Sequence, residues 1–216
     1  MTTGNRDHDG PRRRSDGEQT HAHILDAAMR LASIEGLGSL TIGRLARELG
    51  VSKSGVFAHF RSKQRLQEET LHAAEAVFQR EVLQPGLNAP EGLARLESLC
   101  NAYLSYVERG VFPGGCFLAQ ALAEFDAQTG PLHDAVARGH QTWLELIEDQ
   151  IIAAQRLKEL DPLIDAGQLA FELCAPLELA NYLATLYRDP EITARGRAAV
   201  RSIIARAKSG SQTTGA

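Results

Sequence analysis

The residue types best suited to a defined chemistry lie together in residues 41–60, TIGRLARELGVSKSGVFAHF. Lys53, Ser54 and Gly55 are expected to open a short helix with a small, polar and basic outward face. A lysine ammonium can donate to guanine O6 and N7, and a serine hydroxyl can bond either kind of base. A glycine lets the helix backbone approach closely. This face therefore predicts contacts with base edges in the major groove of DNA.

Two short helices joined by a tight turn must position those residues. The first carries an apolar stripe at i, i+3, i+4 and i+7, formed by Ile42, Leu45, Ala46 and Leu49. Thr41 is expected to cap its start, and Gly50 to end it in the left-handed backbone region. Ser52 can cap the second helix, in which Val56 and Phe60 point back to the core. This arrangement predicts a helix-turn-helix.

Contacts with the DNA backbone are expected around this motif. Thr41 and Lys63 each lie at a helix start, where free N–H groups and the helix dipole favour phosphate. Arg44 lies one turn into the first helix and is expected to reach the backbone or an adjacent base. His59 is either a phosphate donor or an idle exposed histidine.

Charge is divided unevenly along the chain. Residues 1–65 carry 11 Lys and Arg against 7 Asp and Glu, a net charge of +4. Residues 66–216 carry 12 against 20, a net charge of −8, so the overall value of −4 conceals a basic head. Such asymmetry is typical of a protein that meets a polyanion at one end. Residues 12–14, three arginines, form a possible basic arm or a solvated tail without a role.

The composition excludes several classes of protein. The chain has 216 residues, 44% of them hydrophobic, and no run of about 18 uncharged apolar residues that would span a membrane. Residues 1–19 lack the apolar segment of a secretory signal, which predicts a cytoplasmic protein. Three cysteines without CxxC spacing indicate neither disulfides nor a zinc site. No nucleotide-binding loop, zinc-protease motif or catalytic triad is apparent, so we expect no enzyme, cofactor or metal.

Helical periodicity recurs throughout and predicts an all-α fold of about nine helices. We expect a disordered basic arm over residues 1–17, a three-helix DNA-binding domain over 18–65, a second helical domain over 66–208, and a disordered tail over 209–216. A connecting helix runs from Lys63 to about Val82, and QPGLNAP at 84–90 predicts a break. Another helix is expected to run from Leu163 to Tyr187.

Residues 24–72 closely resemble the N-terminal signature of the TetR family of bacterial transcriptional repressors. The resemblance implies a homodimer whose last two helices form a four-helix interface, with a ligand cavity inside each body. The family's recognition helix usually ends Tyr-x-x-Phe, whereas here it reads Phe57-Ala58-His59-Phe60. Phe57 lacks a hydroxyl for phosphate but can pack on a sugar or a thymine methyl. The predicted DNA contacts are Thr41, Arg44, Ser52, Lys53, Ser54, Gly55, Phe57, His59 and Lys63.

The body concentrates most of the aromatic residues, which favours an apolar cavity for a small hydrophobic or aromatic ligand. The predicted ligand contacts are Phe78, Tyr103, Phe117, Gln120, Glu124 and Trp143. Gln120 and Glu124, one turn apart in an apolar helix, are the expected polar anchors. Ligand binding would act through helix 63–82 to move the two DNA modules out of register with an operator. Core packing is the competing interpretation of these aromatics.

The helix expected at 163–187 is apolar on more than one face, so a second copy of the chain is expected to cover part of it. The predicted dimer contacts are Phe171, Ala180, Leu183, Ala184 and Tyr187. The resulting hypothesis is a dimeric repressor on a near-palindromic operator, released by a small molecule. Alternatives are a regulator without a ligand, an activator, or a redox switch at Cys116, whose position at a helix start would favour a thiolate. The histidine pair His133 and His140 is expected on a solvated face.

Overall fold

The computed structural model describes residues 10–208, with side chains described from residue 17. No strand occurs in that part of the chain, and nine helices of eight or more residues form the body of the molecule. They are α1 (Gly10–Glu35), α2 (Ile42–Leu49), α3 (Lys53–Phe60), α4 (Lys63–Phe78), α6 (Leu93–Glu108), α7 (Phe117–Phe125), α8 (Pro131–Arg156), α9 (Ala166–Tyr187) and α10 (Glu191–Lys208). A single turn, α5 (Gln84–Leu87), completes the set. The predicted all-α class is confirmed.

The N-terminal module is built from α1, α2 and α3, which pack around a closed core. Leu45, Val56 and Phe60 are each fully buried, so the apolar stripes of the two short helices face each other and α1. The first turn of α4 adds Leu66, also fully buried. Burying these side chains is what holds two eight-residue helices that would not form alone in water.

Helix α1 begins earlier than the sequence analysis expects. The helix starts at Gly10 and so includes residues 10–17, which were expected to belong to a disordered arm. Pro11 lies in the first turn, where a backbone N–H would have no intrahelical acceptor, so proline is tolerated there. Arginine also has a high helix propensity. Residues 1–9 and the predicted tail at 209–216 lie outside the described residues.

The connecting helix also continues beyond its predicted end. A π-helical segment (Gln79–Leu83) follows α4 directly and leads into α5, so the helical path runs to Leu87 and breaks only near Pro90. Pro85 would clash with the carbonyl four residues earlier in a regular helix. The widened π turn immediately before it removes that conflict, with Gln84 N–H bonding Gln79 O across five residues.

The body surrounds α6, which packs against α8, α9, α10 and the π-helical segment. Helix α9 begins at Ala166 rather than at the predicted Leu163. Asp165 caps it by accepting from Gln168 N at 2.8 Å, while Asp161 turns the chain earlier by accepting from Leu163 N. Two aspartates thus define separate turns, and Leu163 lies in the loop, 91% exposed. Among residues 10–208, none of the helices has the length and apolar character needed to cross a membrane.

Candidate nucleic-acid interface and ligand cavity

Local hydrogen bonds fix the two helices of the motif as predicted. Thr41 Oγ1 accepts from Arg44 N at 3.1 Å, and Ser52 Oγ accepts from Gly55 N at 3.1 Å. Gly50 has φ +67° and ends α2 by donating to two carbonyls of its last turn. The predicted caps at Thr41, Gly50 and Ser52 are confirmed. Each of them satisfies backbone groups that a helix end otherwise leaves unpaired.

The N-terminal part of α3 presents an open surface. Lys53, Ser54 and Gly55 are exposed, while the next residue, Val56, is fully buried. Phe57 is 53% exposed, an aromatic ring on an otherwise polar and small face. The backbone geometry therefore places the residues predicted to contact DNA on one accessible side. Their contacts with DNA remain predictions.

Lys53 is held across the start of α2. A Cβ built on Gly43 would lie 2.7 Å from Cε of Lys53, so the glycine makes room for the lysine stem. Within the described residues 10–208, neither Lys53 nor Lys63 forms an ion pair. Both ammonium groups are exposed on the surface that carries α3 and the start of α4, so both are able to contact the phosphates of a nucleic acid.

Arg44 is more constrained than the sequence suggests. Its guanidinium contacts Glu35 at 2.6 Å and Glu48 at 2.9 Å, and the hydrogen bond from Arg44 lowers the pKa of Glu35. These two ion pairs hold the guanidinium of Arg44 against its own module, so a DNA phosphate would have to share the guanidinium with Glu35 and Glu48. His59 is half-buried, its ring 5.6 Å from that of His21. A phosphate contact by either residue remains a prediction.

A cavity of about 420 Å³ lies inside the body, between α4, α6, α7, α8 and α9. Phe78, Tyr103 and Trp143 all line it, as the sequence analysis predicts. Trp143 stands edge-on to Phe78 at 5.6 Å and is stacked with Tyr103 at 6.1 Å, measured between ring centroids. The size and the apolar walls are those of a small-molecule site.

The other three predicted ligand contacts do not line this cavity. Phe117 is buried in the core against Phe112, with ring centroids 5.7 Å apart. Gln120 donates to Gly114 O at 3.1 Å and closes the turn before α7. The expectation that Gln120 and Glu124 are polar anchors is wrong for this cavity, because their face of α7 turns toward the DNA-binding module.

Glu124 joins α7 to that module. Its two carboxylate oxygens accept from Leu37 N at 2.7 Å and from Gly38 N at 2.8 Å, in the turn between α1 and α2. Gln67 of α4 completes the joint by donating to Leu37 O at 2.8 Å. We name this set, Leu37, Gly38, Gln67 and Glu124, the turn clamp. The backbone groups of Leu37 and Gly38 therefore bond to side chains of α7 and α4, and both of these helices line the cavity.

The polar groups that line the cavity are ones the sequence analysis missed. His72 pairs with Glu75 at 3.0 Å on α4, and His140 of α8 pairs with Glu178 of α9 at 2.9 Å. The expected solvated face for His140 is therefore wrong, although His133 does pair with the exposed Asp134. The i, i+3 spacing of His72 and Glu75 was a detectable signal. The pairing of His140 with Glu178 spans 38 residues and left no local signal.

The cysteine environment contradicts the redox hypothesis. Cys116 is 2% exposed, and burial raises the pKa of its thiol above the ordinary value. The helix-start position was expected to lower that pKa, but desolvation of the thiolate outweighs it. Cys100 and Cys174 are also buried, and burial raises the pKa of Cys174 to about 12. Among the described residues, no group of three or more His, Cys, Asp or Glu side chains could hold a metal ion.

Helix α9 exposes an unusual amount of apolar surface. Phe171 is 64% and Tyr187 61% exposed, and Leu179 and Leu186 extend the same surface. Leu183 and Ala184 are half-buried. Ala180, in contrast, is 4% exposed, and a Cβ built on Gly196 would lie 3.0 Å from its Cβ. Ala180 is therefore a contact of α9 with α10 inside one chain, and its predicted place in a dimer interface is wrong.

Comparison with known proteins finds two family matches. Residues 24–70 match the family described as bacterial regulatory proteins, tetR family. Residues 92–200 match the family described as tetracyclin repressor-like, C-terminal domain. The first covers the helix-turn-helix and the second the cavity and α9.

Individual relatives are similar to the chain in part or in fold. The HTH-type transcriptional regulator AcrR of Shigella flexneri is 33% identical over 63 residues, which is 29% of this chain and 29% of that protein. A TetR transcriptional regulator from Chloroflexus aurantiacus has a TM-score of 0.81 at 21% identity, covering 89% of this chain and 97% of that one. A TetR-family regulator from Streptomyces coelicolor has a TM-score of 0.73 at 21% identity, covering 88% and 97%.

Proposed function

Because the chain belongs to the TetR family of DNA-binding transcriptional regulators, we propose that it is a dimeric repressor released from its operator by a small molecule. It acts at the nucleoid of the bacterial cytoplasm and carries out no catalysis. The observation that carries the proposal is the turn clamp, which ties the α1–α2 turn of the DNA-binding module to a helix that lines the cavity. A change in the cavity can therefore reach the DNA-binding surface through direct contacts.

The operator is read by the exposed start of α3. Lys53 and Ser54 contact base edges, and Gly55 allows the backbone to approach them. Thr41 and Lys63 hold phosphates from the starts of α2 and α4, with Ser52, Phe57, Arg44 and His59 around them. Phosphate contacts set the register on the duplex, while the base contacts select the sequence.

Two copies of the chain bind together. A single module buries only about 600–1,000 Å² on DNA, too little to select a site in a genome. The exposed side of α9, with Phe171, Leu183, Ala184 and Tyr187, supplies the surface for a two-fold interface. Leu179 and Leu186 belong to the same surface. A two-fold dimer reads a near-palindrome with half-sites about 34–36 Å apart.

Release follows from a shift between two arrangements of the body. Cys116, Leu118 and Ala119 lie at the start of α7 and line the cavity, while Glu124 at its end binds the α1–α2 turn. A ligand that favours a displaced α7 or α4 therefore favours a displaced DNA module. The coupling free energy between cavity and DNA surface is set by the difference between the ligand's affinities for the two arrangements.

Selection from a random duplex pool tests the DNA-binding part of this proposal. The purified chain should enrich a near-palindrome with two half-sites one helical turn apart. Lys53→Ala should weaken binding to the selected sequence by about tenfold and relax the preference at one base pair in each half-site. Lys158→Ala, a lysine exposed in the body, is the control and should change nothing. A pool without any enriched sequence at low salt would contradict the proposal.

A further inference from the structure

The cavity has a distinct charge. Glu75 and Glu178 line it, and among the described residues that line it none is a lysine or an arginine. Two histidines, His72 and His140, are its only other ionisable groups apart from Tyr103 and Cys116. The two carboxylates, each paired with a histidine, therefore lie in an otherwise apolar site that offers no lysine or arginine. Partly buried carboxylates in such surroundings gain from a cation beside them.

The two carboxylates lie against the same turn of α8. Glu178 Oε1 pairs with His140 Nε2 at 2.9 Å, and both side chains are about one-third exposed. Glu75 reaches across from α4, since a Cβ built on Gly139 would lie 3.8 Å from its Oε1. Gly139 and His140 are neighbours, so the two carboxylates lie beside the same turn of α8, Glu75 from α4 and Glu178 from α9, and both line the cavity.

The field of Glu178 also reaches the interior of the cavity. Burial, the neighbouring Cys116 and then the charge of Glu178 raise the pKa of Tyr103 well above its ordinary value. Glu178 acts in the same direction, after burial, on the pKa of Tyr182.

The buried end carries a weakly satisfied hydroxyl beside aromatic rings. Tyr103 is 4% exposed, and its hydroxyl lies beside the thiol of Cys116, with no nitrogen or oxygen partner among the described residues. A thiol is a weak hydrogen-bonding partner, so a ligand atom in the cavity can pair with this hydroxyl more strongly. Phe78, Tyr103 and Trp143 form one connected group of rings, and aromatic faces attract cations as well as apolar groups.

We propose that the cavity binds an organic cation with an apolar, ring-bearing body. Its positive group lies against Glu75 and Glu178, its body against the three rings, and a hydrogen-bonding group of the ligand pairs with the Tyr103 hydroxyl. The volume of about 420 Å³ suits a compound of drug-like size. This inference names the ligand class of the sensor in the proposed function and rests on it.

Binding of a matched pair of ions tests the ligand class. Tetraphenylphosphonium and tetraphenylborate have nearly the same shape and opposite charge. Trp143 is the single tryptophan of the chain and lines the cavity, so quenching of its fluorescence reports occupancy in the full-length protein. The phosphonium should bind at least about tenfold more tightly than the borate, a difference of about 1.4 kcal/mol.

Charge-removing variants locate the effect. Glu178→Gln and Glu75→Gln should each weaken phosphonium binding by about five- to tenfold and leave borate binding equal or tighter. Glu145→Gln, on an exposed position of α8 outside the cavity, is the matched control and should change neither affinity. Far-ultraviolet circular dichroism of each variant checks that the fold is kept.

The Tyr103 contact needs a probe that carries a hydroxyl. Tyr103→Phe should weaken binding of (4-hydroxyphenyl)triphenylphosphonium by several-fold and leave tetraphenylphosphonium unchanged, because only the first can form the hydrogen bond. Unchanged binding of both probes would remove Tyr103 from the proposal.

Equal or tighter binding of the borate, or a phosphonium preference that survives both carboxylate variants, would overturn the cationic ligand class. An operator-binding assay with the same probes separates this outcome from failure of the sensor. Cation-selective binding without any effect on operator affinity would support the ligand class and contradict the proposed release. Operator release by a neutral or anionic compound that quenches Trp143, with no cation preference, would support the sensor and contradict the ligand class.

Discussion

At the scale of single residues, the helix-turn-helix is defined by hydrogen bonds between groups no more than four positions apart in the chain. Thr41 and Ser52 cap the helices that follow them, and Gly50 ends the helix before it. Such bonds depend only on neighbouring residues, so the sequence alone predicts them. Glu124 and His140, in contrast, bond to residues that are distant in the chain, at separations of 86–87 and 38 residues. Their roles follow from packing that no local pattern records.

Lys63 provides a test of a phosphate contact. Its ammonium is exposed at the start of α4 and forms no ion pair within residues 10–208, so it is free to meet the duplex. Lys63→Ala should weaken binding similarly on all sequences and reduce the slope of log affinity against log salt by about one. Salt titrations on a selected operator and on an unrelated duplex measure both effects. A changed sequence preference with an unchanged slope would contradict the assignment.

The buried thiols give a prediction about reactivity. Burial raises the pKa of Cys116 and of Cys174, so these groups stay protonated near neutral pH and resist thiolate chemistry. Iodoacetamide at pH 7.5 should label none of the three cysteines in the folded chain and all three in urea, as counted by mass spectrometry. Rapid labelling of Cys116 in the folded protein, with loss of operator binding, would restore a redox interpretation.

At the scale of elements, two joints connect the DNA-binding module to the body. One is the turn clamp, in which Glu124 of α7 holds the α1–α2 turn. The other is the turn before α7, where Gly114 packs directly on the carbonyl of Ser33 at the end of α1. The connecting role of α4 was predictable from the sequence, whereas that of α7 was not, because an acidic residue in an apolar helix resembles a ligand anchor. The two joints make α7 a second route between cavity and DNA surface.

Glu124→Gln tests the first joint. The amide keeps an oxygen but loses the charge that strengthens both hydrogen bonds from the turn, so the free energy of unfolding should fall by about 1 kcal/mol. Ligand binding, followed by Trp143 fluorescence, should persist while its effect on operator affinity becomes smaller. Glu145→Gln controls for loss of an exposed carboxylate on a helix. Unchanged coupling in Glu124→Gln would exclude the turn clamp from the route.

Gly114 and Gly139 make a matched pair of glycines with opposite expectations. A Cβ on Gly114 would lie 1.6 Å from Ser33 O, so Gly114→Ala must force the turn away from α1. Overpacking of this kind costs about 1–3 kcal/mol. Gly139 is exposed inside α8 with no atom closer than 3.8 Å, so Gly139→Ala should stabilise the chain by about 0.5–1 kcal/mol. Urea unfolding measures both, and equal effects would contradict the packing described.

At the scale of the whole molecule, periodicity predicted the helices and their order because amphipathic stripes report burial directly. The distinction between a surface within one chain and a surface between chains was less predictable. Ala180 and Phe171 lie on the same apolar helix, yet one packs on α10 and the other is exposed. A helix that is apolar on several faces indicates that it must be covered, but the sequence does not indicate by what.

In the proposed mechanism, occupancy of the cavity changes the separation of two recognition helices in a dimer. A spin label at Arg47→Cys, exposed on α2, reports that separation by pulsed electron paramagnetic resonance, since the native cysteines are buried. With operator DNA, we expect one narrow distance distribution set by the half-site spacing. A compound that quenches Trp143 should displace or broaden that distribution and release the DNA. An absence of dipolar coupling between chains, or one unchanged distribution in both states, would contradict ligand-driven release by a dimer.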